Sequence, residues 1–257
     1  MWRLGVAGSP VAHSLSPALH RAGLAMAGLE GTSVAIDVDV DQVARLRDVL
    51  GVTVDALSLT MPLKTPALAL CDEVDDVARR VGAVNSVIVR EGRLYGANTD
   101  GGGFVSSLDY QFGMDVAGSR ALVIGAGGAA RGIVDALAGA GADVIDVVAR
   151  RREPAAWLAE HYDVVRIGAH GGPLDLVVNT TPVAGRLASG VAPGVGPRTV
   201  AVDITYEPRM TQWRSQYERR GCPTANGLAM LAFQAARQLT WWLGVPIDGA
   251  ALAETIS

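Results

Sequence analysis

A chain of 257 residues, 49% of them hydrophobic and 19% charged, holds enough apolar material for two modest domains or one large one, which excludes a disordered chain. Its formal net charge of -4 gives a nucleic-acid partner no general support, so any anion has to be held by a local cluster. Cys71 and Cys222 stand far apart without C-x-x-C spacing and the four histidines form no ligand pattern, which argues for reduced thiols in a cytoplasmic protein and against a bound metal.

The opening run MWRLGVAGSP lacks the basic-then-apolar build of a secretory leader. From Trp2 it reads as a strand, the first of three: WRLGVAG, TSVAIDV and VDALSLT. Between them, SPALHRAGLAMAG and DQVARLRDVL carry apolar residues at helical spacing, with Ser16 and Asp41 as the expected N-caps. This alternation predicts βαβ units and a mainly parallel sheet. A short acidic helix is expected near Glu73 to Arg80, and then a hairpin turning at Glu91-Gly92 inside NSVIVREGRLYGANTD. The glycines Gly101 to Gly103 read as the end of this first unit.

A second alternating series opens with RALVIGAGGAARG and continues through VIDVVARRRE, LDLVVNTTP and RTVAVDITYEP. The last long helix, about 227 to 243, is interrupted by Gln234, Arg237 and Gln238, so it is a poor membrane span. Its apolar face should pack back on the first domain. The expected fold class is α/β in two units, each with a mainly parallel sheet, the last helix returning to the first unit.

VIGAGGAARG sets Gly125, Gly127 and Ala130 in G-x-G-x-x-G/A order between a strand and a helix. The first glycine permits the tight turn, the second lets a pyrophosphate approach the backbone, and the small third residue lets helix and strand pack closely. Free N–H groups at the helix start then bind phosphate. About 20 residues further on, a protein selecting NAD would carry Asp or Glu against the ribose 2′-hydroxyl. Here Ala149 is followed by Arg150, Arg151 and Arg152, and Asp146 comes too early, in mid-strand. A guanidinium pairs with a 2′-phosphate that an acid would repel. Positive charge at a helix start also opposes the helix dipole, so a ligand that repays it is expected. The predicted cofactor is NADP.

Three further stretches, SPVAHSLSPALH, SLTMPLK and GANTDGGG, follow the first strand, the third strand and the hairpin. Singly, each has an ordinary structural duty: Ser16-Pro17 starts a helix, Ser14 sits in a loop, Lys64 is a solvated lysine, and Asp100 caps a helix. Jointly they resemble the shikimate dehydrogenase family, nearly end to end. The family's H-S-x-S-P appears as His13 to Pro17, T-x-P-x-K as Thr60 to Lys64, and N-T-D as Asn98 to Asp100. N-x-T-P appears as Asn179 to Pro182, the late tyrosine as Tyr206, and M-L-x-x-Q-A as Met230 to Ala235.

The resemblance implies reversible NADPH-dependent reduction of 3-dehydroshikimate to shikimate, in aromatic amino-acid biosynthesis. It implies an α/β fold of two domains, an N-terminal substrate domain of residues 1–101 plus 226–257 and a Rossmann-type dinucleotide-binding domain of residues 102–225. It implies Lys64 and Asp100 as the catalytic pair, with Ser14, Ser16, Thr60, Asn85, Tyr206 and Gln234 against the substrate. The cofactor set is Gly125, Ala126, Gly127, Gly128, Ala129, Arg150, Arg151, Thr180 and Gly227. Oxidising a secondary alcohol leaves a proton on oxygen, which a lysine beside a carboxylate accepts and restores in reverse. Partners beyond the small-molecule substrate are not expected, neither nucleic acid nor membrane, and the state is monomer or homodimer. Two departures stand out: Ser58 replaces the family's usual asparagine, which puts one substrate hydroxyl contact in question, and Arg21 replaces a frequent asparagine. A paralogue acting on quinate or aminoshikimate, or a non-catalytic NADP-binding sensor, would share the scaffold.

Overall fold

The computed structural model describes residues 1–181 and 192–256, so Pro182 of the N-x-T-P run lies outside the described residues. The chain divides into two units, Met1–Gly103 with Leu231–Ser257, and Phe104–Met230.

The first unit opens with β1 (Trp2–Gly8), α1 (Ser16–Met26), β2 (Gly31–Asp37), α2 (Arg45–Val49) and β3 (Ala56–Leu59). Then come β4 (Glu73–Val74), α3 (Asp76–Val81), β5 (Ser86–Arg90), β6 (Arg93–Ala97) and the start of α4 (Asp100–Phe112). The sheet order is β2-β1-β3-β5-β6-β4. β2, β1 and β3 run parallel, β5 is antiparallel to both neighbours, and β4 is parallel to β6. β3 is buried along its whole length, whereas β2, at the sheet edge, is mostly exposed. The hairpin turns where expected: Glu91 and Gly92 both have positive φ, 51° and 75°, which a two-residue turn matching strand twist requires.

Three local expectations are corrected. Ser16 is not a cap but the first residue of α1, and its N–H donates to Ser14 Oγ at 3.3 Å. Pro17 tolerates that position because first-turn amides lack an intrahelical partner. Asp41 is not a cap either. Asp39 accepts from Val40 N–H at 2.6 Å to start a single 3-10 turn, and α2 begins only at Arg45. The acidic segment is a strand and a helix: Glu73 and Val74 pair with β6, and Asp75 accepts from Ala78 N–H at 2.6 Å to start α3. Edge pairing decided what acidic composition could not.

The second unit carries β7 (Arg120–Ile124), α5 (Gly128–Gly139), β8 (Val144–Val148), α6 (Arg152–His161), β9 (Val165–Ile167), β10 (Leu176–Asn179), β11 (Val200–Asp203), α7 (Gln212–Glu218) and β12 (Thr224–Asn226). All strands are parallel in the order β12-β11-β10-β7-β8-β9. The order reverses between β7 and β10, the switch point at which an open parallel sheet binds dinucleotides. Ile133, Val134 and Leu137 of α5 pack on one face, Trp213 and Tyr217 of α7 on the other.

The chain ends in α8 (Leu228–Leu243) and α9 (Gly249–Glu254). Ala232, Ala235, Ala236, Leu239 and Trp242 of α8 pack with Leu4, Leu19 and Leu24, so this helix covers a face of the first sheet. Gly101 to Gly103 fall inside α4. A methyl group on Gly103 would stand 2.5 Å from the backbone nitrogen of Gln234, and one on Gly102 2.9 Å from the Arg237 guanidinium. Gly102 and Gly103 thus admit a close approach to α8 that a larger residue would block.

Candidate active site

β3 carries the chain to Thr60, whose N–H donates to Ala7 O at 2.9 Å, and the following turn brings Lys64 towards the start of α4. Lys64 Nζ donates to Asp100 Oδ2 at 2.7 Å, with the lysine side chain 19% and the aspartate 3% exposed. Asp100 is held in turn: Asn85 Nδ2 donates to its Oδ1 at 2.7 Å, and its own N–H donates to Asn98 Oδ1 at 3.1 Å. Asn98, rather than Asp100, therefore supplies the side-chain cap. Asn85 Oδ1 accepts from Thr99 N–H at 2.9 Å, and Asn85 Nδ2 lies 3.2 Å from Gln234 Oε1. Four predicted residues, Lys64, Asp100, Asn85 and Gln234, thus form one cluster.

Ser14 and Thr60 are half-buried and Ser16 is buried. Tyr206 follows β11 in the second unit. Ser58 is also buried, but its hydroxyl is committed inside the protein, to Gln238 Oε1 at 2.5 Å and His20 Nε2 at 2.9 Å. The substrate hydroxyl contact that the sequence put in question at this position is not offered by a hydroxyl so engaged.

A further signal was legible and went unread. Lys64 is not one solvated lysine among many: of the 22 lysines and arginines, it is the only lysine. Every other cation is a guanidinium, which does not release its proton in proteins, whereas an ammonium does. The single dissociable side-chain amine is the one set against a buried carboxylate.

In the second unit, Gly125 follows β7 with φ 118°, and Thr180 packs against it while donating to Ile124 O at 2.8 Å. Gly127 precedes α5 without any side-chain cap, and a methyl group on it would meet no atom within 4 Å. The first-turn amides of α5, from Gly128 and Ala129 onwards, thus carry no side-chain cap, as a pyrophosphate cradle needs. Gly227 admits an equally close approach to the carbonyl of Ile204.

Arg150 and Arg151 are exposed beyond β8, and Arg151 occupies the N-cap of α6 with no capping bond. Asp146 cannot serve a ribose. It is buried and accepts from Arg166 at 2.7 and 2.9 Å and from His170 N–H at 3.2 Å. Burial alone would raise its pKa, but these bonds outweigh burial and hold the carboxyl below its ordinary range. Sequence reasoning missed Arg131, on α5, whose guanidinium lies 4.4 Å over the Trp157 ring. Burial first, and then the charge of Arg151, lower its pKa, which puts a third arginine at this cluster.

Among the described residues, no helix is long and apolar enough to cross a membrane. The description of a shikimate dehydrogenase substrate binding domain matches residues 6–87. The NADP(+) shikimate dehydrogenase of Geobacillus kaustophilus is 35% identical over 253 residues, 93% of this chain and 92% of its own length. The corresponding enzyme of Thermus thermophilus is 39% identical over 267 residues, 99% of this chain and 97% of its own. A crystal structure of shikimate 5-dehydrogenase from Thermus thermophilus, in complex with NADP(H) and shikimate, matches with a TM-score of 0.88 at 38% identity, over 99% of this chain and 98% of that one.

Proposed function

The chain belongs to the shikimate dehydrogenase family, and from that premise we propose how its residues carry out the NADP-dependent interconversion of 3-dehydroshikimate and shikimate. The observation that carries the reading is the contact of the only lysine with buried Asp100, at 2.7 Å.

Bound NADPH supplies the hydride. The chain's own residues handle the proton. As hydride reaches the carbonyl carbon, charge develops on oxygen, and Lys64 Nζ donates a proton to it. Asp100 holds the ammonium in place and stabilises it, and Asn85 anchors the far oxygen of Asp100 so that the carboxylate cannot turn away. In the oxidative direction, Lys64 takes the proton back from the alcohol. Ser14, Ser16 and Thr60 bind the substrate's carboxylate and hydroxyls, and Asn85, Tyr206 and Gln234 complete its surroundings.

The dinucleotide fits what is present. The uncapped start of α5, with Gly125, Ala126, Gly127, Gly128 and Ala129, would hold the pyrophosphate, with Thr180 and Gly227 beside the cofactor. Arg150 and Arg151 would pair with the 2′-phosphate, joined by Arg131. Residues 1–101 with 226–257 form the substrate-binding domain and 102–225 the NADP-binding domain. The protein works as a cytoplasmic monomer or homodimer in the biosynthesis of aromatic amino acids.

Initial rates with shikimate and quinate, each against NADP and NAD, test the reading. Turnover confined to shikimate with NADP is expected. Comparable turnover of quinate, or with NAD, would overturn the specificity, and no turnover with any pair would overturn the reaction.

A further inference from the structure

Behind the catalytic cluster, and still inside the first unit, lies a buried polar chain that no part of the reaction uses. His20, on α1, and Gln238, on α8, are fully buried, and Ser58, on β3, is buried. His20 Nδ1 stands 2.8 Å from Ser33 Oγ and its Nε2 2.9 Å from Ser58 Oγ. Ser58 Oγ donates to Gln238 Oε1 at 2.5 Å, and Gln238 Nε2 donates to the backbone carbonyl of Asn85 at 2.9 Å.

Elementary donor and acceptor rules orient every link. A carbonyl only accepts, so Gln238 must present its amide nitrogen to Asn85 and its oxygen to Ser58. Ser58 has one hydrogen and spends it on Gln238, so His20 must donate Nε2–H to Ser58. Nδ1 is then the acceptor, and Ser33 donates to it. With the neutral ring that burial favours, the chain runs one way, from Ser33 to His20 to Ser58 to Gln238 to Asn85. Burial, and then the charge of Arg21, hold His20 down to about 3, consistent with that form.

We infer that Gln238, backed by Ser58 and His20, is a positioning residue for the reaction: it fixes the backbone at Asn85, whose side chain anchors Asp100 and through it Lys64. Two hydrogen bonds meet at the Asn85 carbonyl, from Gln238 and from Leu59 N–H at 2.7 Å. One residue supplies both ends of the linkage, since the Asn85 backbone receives Gln238 while its Nδ2 reaches Asp100 Oδ1 at 2.7 Å.

The inference rests on the proposed roles of Lys64 and Asp100. Its test compares the parent with Gln238→Met, which keeps side-chain volume but neither hydrogen bond, and with Lys64→Met. Turnover, shikimate KM, NADP affinity and melting temperature are measured for each. Gln238→Met is expected to lower kcat about tenfold, the equivalent of about 1.4 kcal/mol of barrier. Shikimate KM and NADP affinity should stay within about twofold, because misaimed proton transfer is felt in the transition state. The solvent deuterium isotope effect on kcat should also rise. A folded Gln238→Met protein with kcat within about twofold of the parent would overturn the inference. Should that protein not fold, Ser58→Ala, which breaks the same chain, carries the same expectation and the same refutation. Lys64→Met separates the two claims: if it is inactive while Gln238→Met is normal, only the positioning role fails. If Lys64→Met is active, the proton-transfer role fails first.

Discussion

Replacing Lys64 by arginine isolates proton exchange from charge. Arginine can keep the ion pair with Asp100, which in the parent closes at 2.7 Å with the aspartate side chain 3% exposed. It cannot lose its proton at any pH the protein survives. Methionine or alanine is a blunter change, because it leaves Asp100 buried and uncompensated, at a cost of about 3–5 kcal/mol for breaking such a pair. A positioned acid–base group contributes about 10²–10⁴-fold to rate. At about 1.36 kcal/mol per decade, that is roughly 3–5 kcal/mol of barrier. Lys64→Arg should therefore lose at least a hundredfold in kcat, in both directions, while its melting temperature stays near the parent's. The assay is the initial rate of NADP reduction with shikimate at saturation. The chain's single lysine offers an independent check, since an amine-directed reagent meets one lysine side chain besides the N-terminus. Inactivation should track modification of Lys64 one for one, and shikimate should protect. A Lys64→Arg protein that keeps more than a tenth of the parent rate would refute proton transfer by this residue.

Three other outcomes are expected. Replacing Arg150 and Arg151 together by serine should weaken NADP by about 1.5–3 kcal/mol per lost charged contact and leave NAD nearly untouched; equal loss for both cofactors, measured by titration, would make the cluster structural. His20 links stability to pH: its pKa is about 3 folded against an ordinary 6.5, so the unfolded chain binds the extra proton between those values. Its contribution is complete above about 6.5 and falls by about 1.4 kcal/mol per pH unit below that. Denaturant midpoints from pH 7 to 4.5 should therefore drop less steeply in His20→Gln than in the parent, and identical slopes would exclude the buried neutral imidazole. Gly103→Ala would force a methyl group to within 2.5 Å of the Gln234 backbone and should cost about 1–3 kcal/mol by overpacking, read as a lower melting temperature.

Much of the nucleotide unit was legible because its signals are local. A glycine at positive φ, an uncapped helix start and a strand that ends in arginines are each properties of a few adjacent residues. The substrate unit was less transparent at its edges. Glu73 and Val74 became a strand because β6 offered an unpaired edge, and Gly102 and Gly103 lie inside a helix, where Arg237 and Gln234 leave no room for a side chain. Ser58 put one substrate contact in question, and its actual partners, His20 and Gln238, could not be read from the sequence, the latter being 180 residues away. Arg131 hid inside the glycine motif, since nothing in sequence places Trp157 beneath it.

By itself, the amino-acid order determined the alternation of strands and helices, the dinucleotide loop, the arginine cluster and the presence of one dissociable amine. Hydrophobic period, turn chemistry and residue type act over a few positions, and they need no knowledge of the rest of the chain. Only the tertiary structure decided which acid that amine meets and what holds the acid still. Lys64 and Asp100 are 36 residues apart, and Asn85 and Gln238 are 153 apart. Hydrogen bonds at such separations form only after strand order and helix packing have brought their ends within about 3 Å.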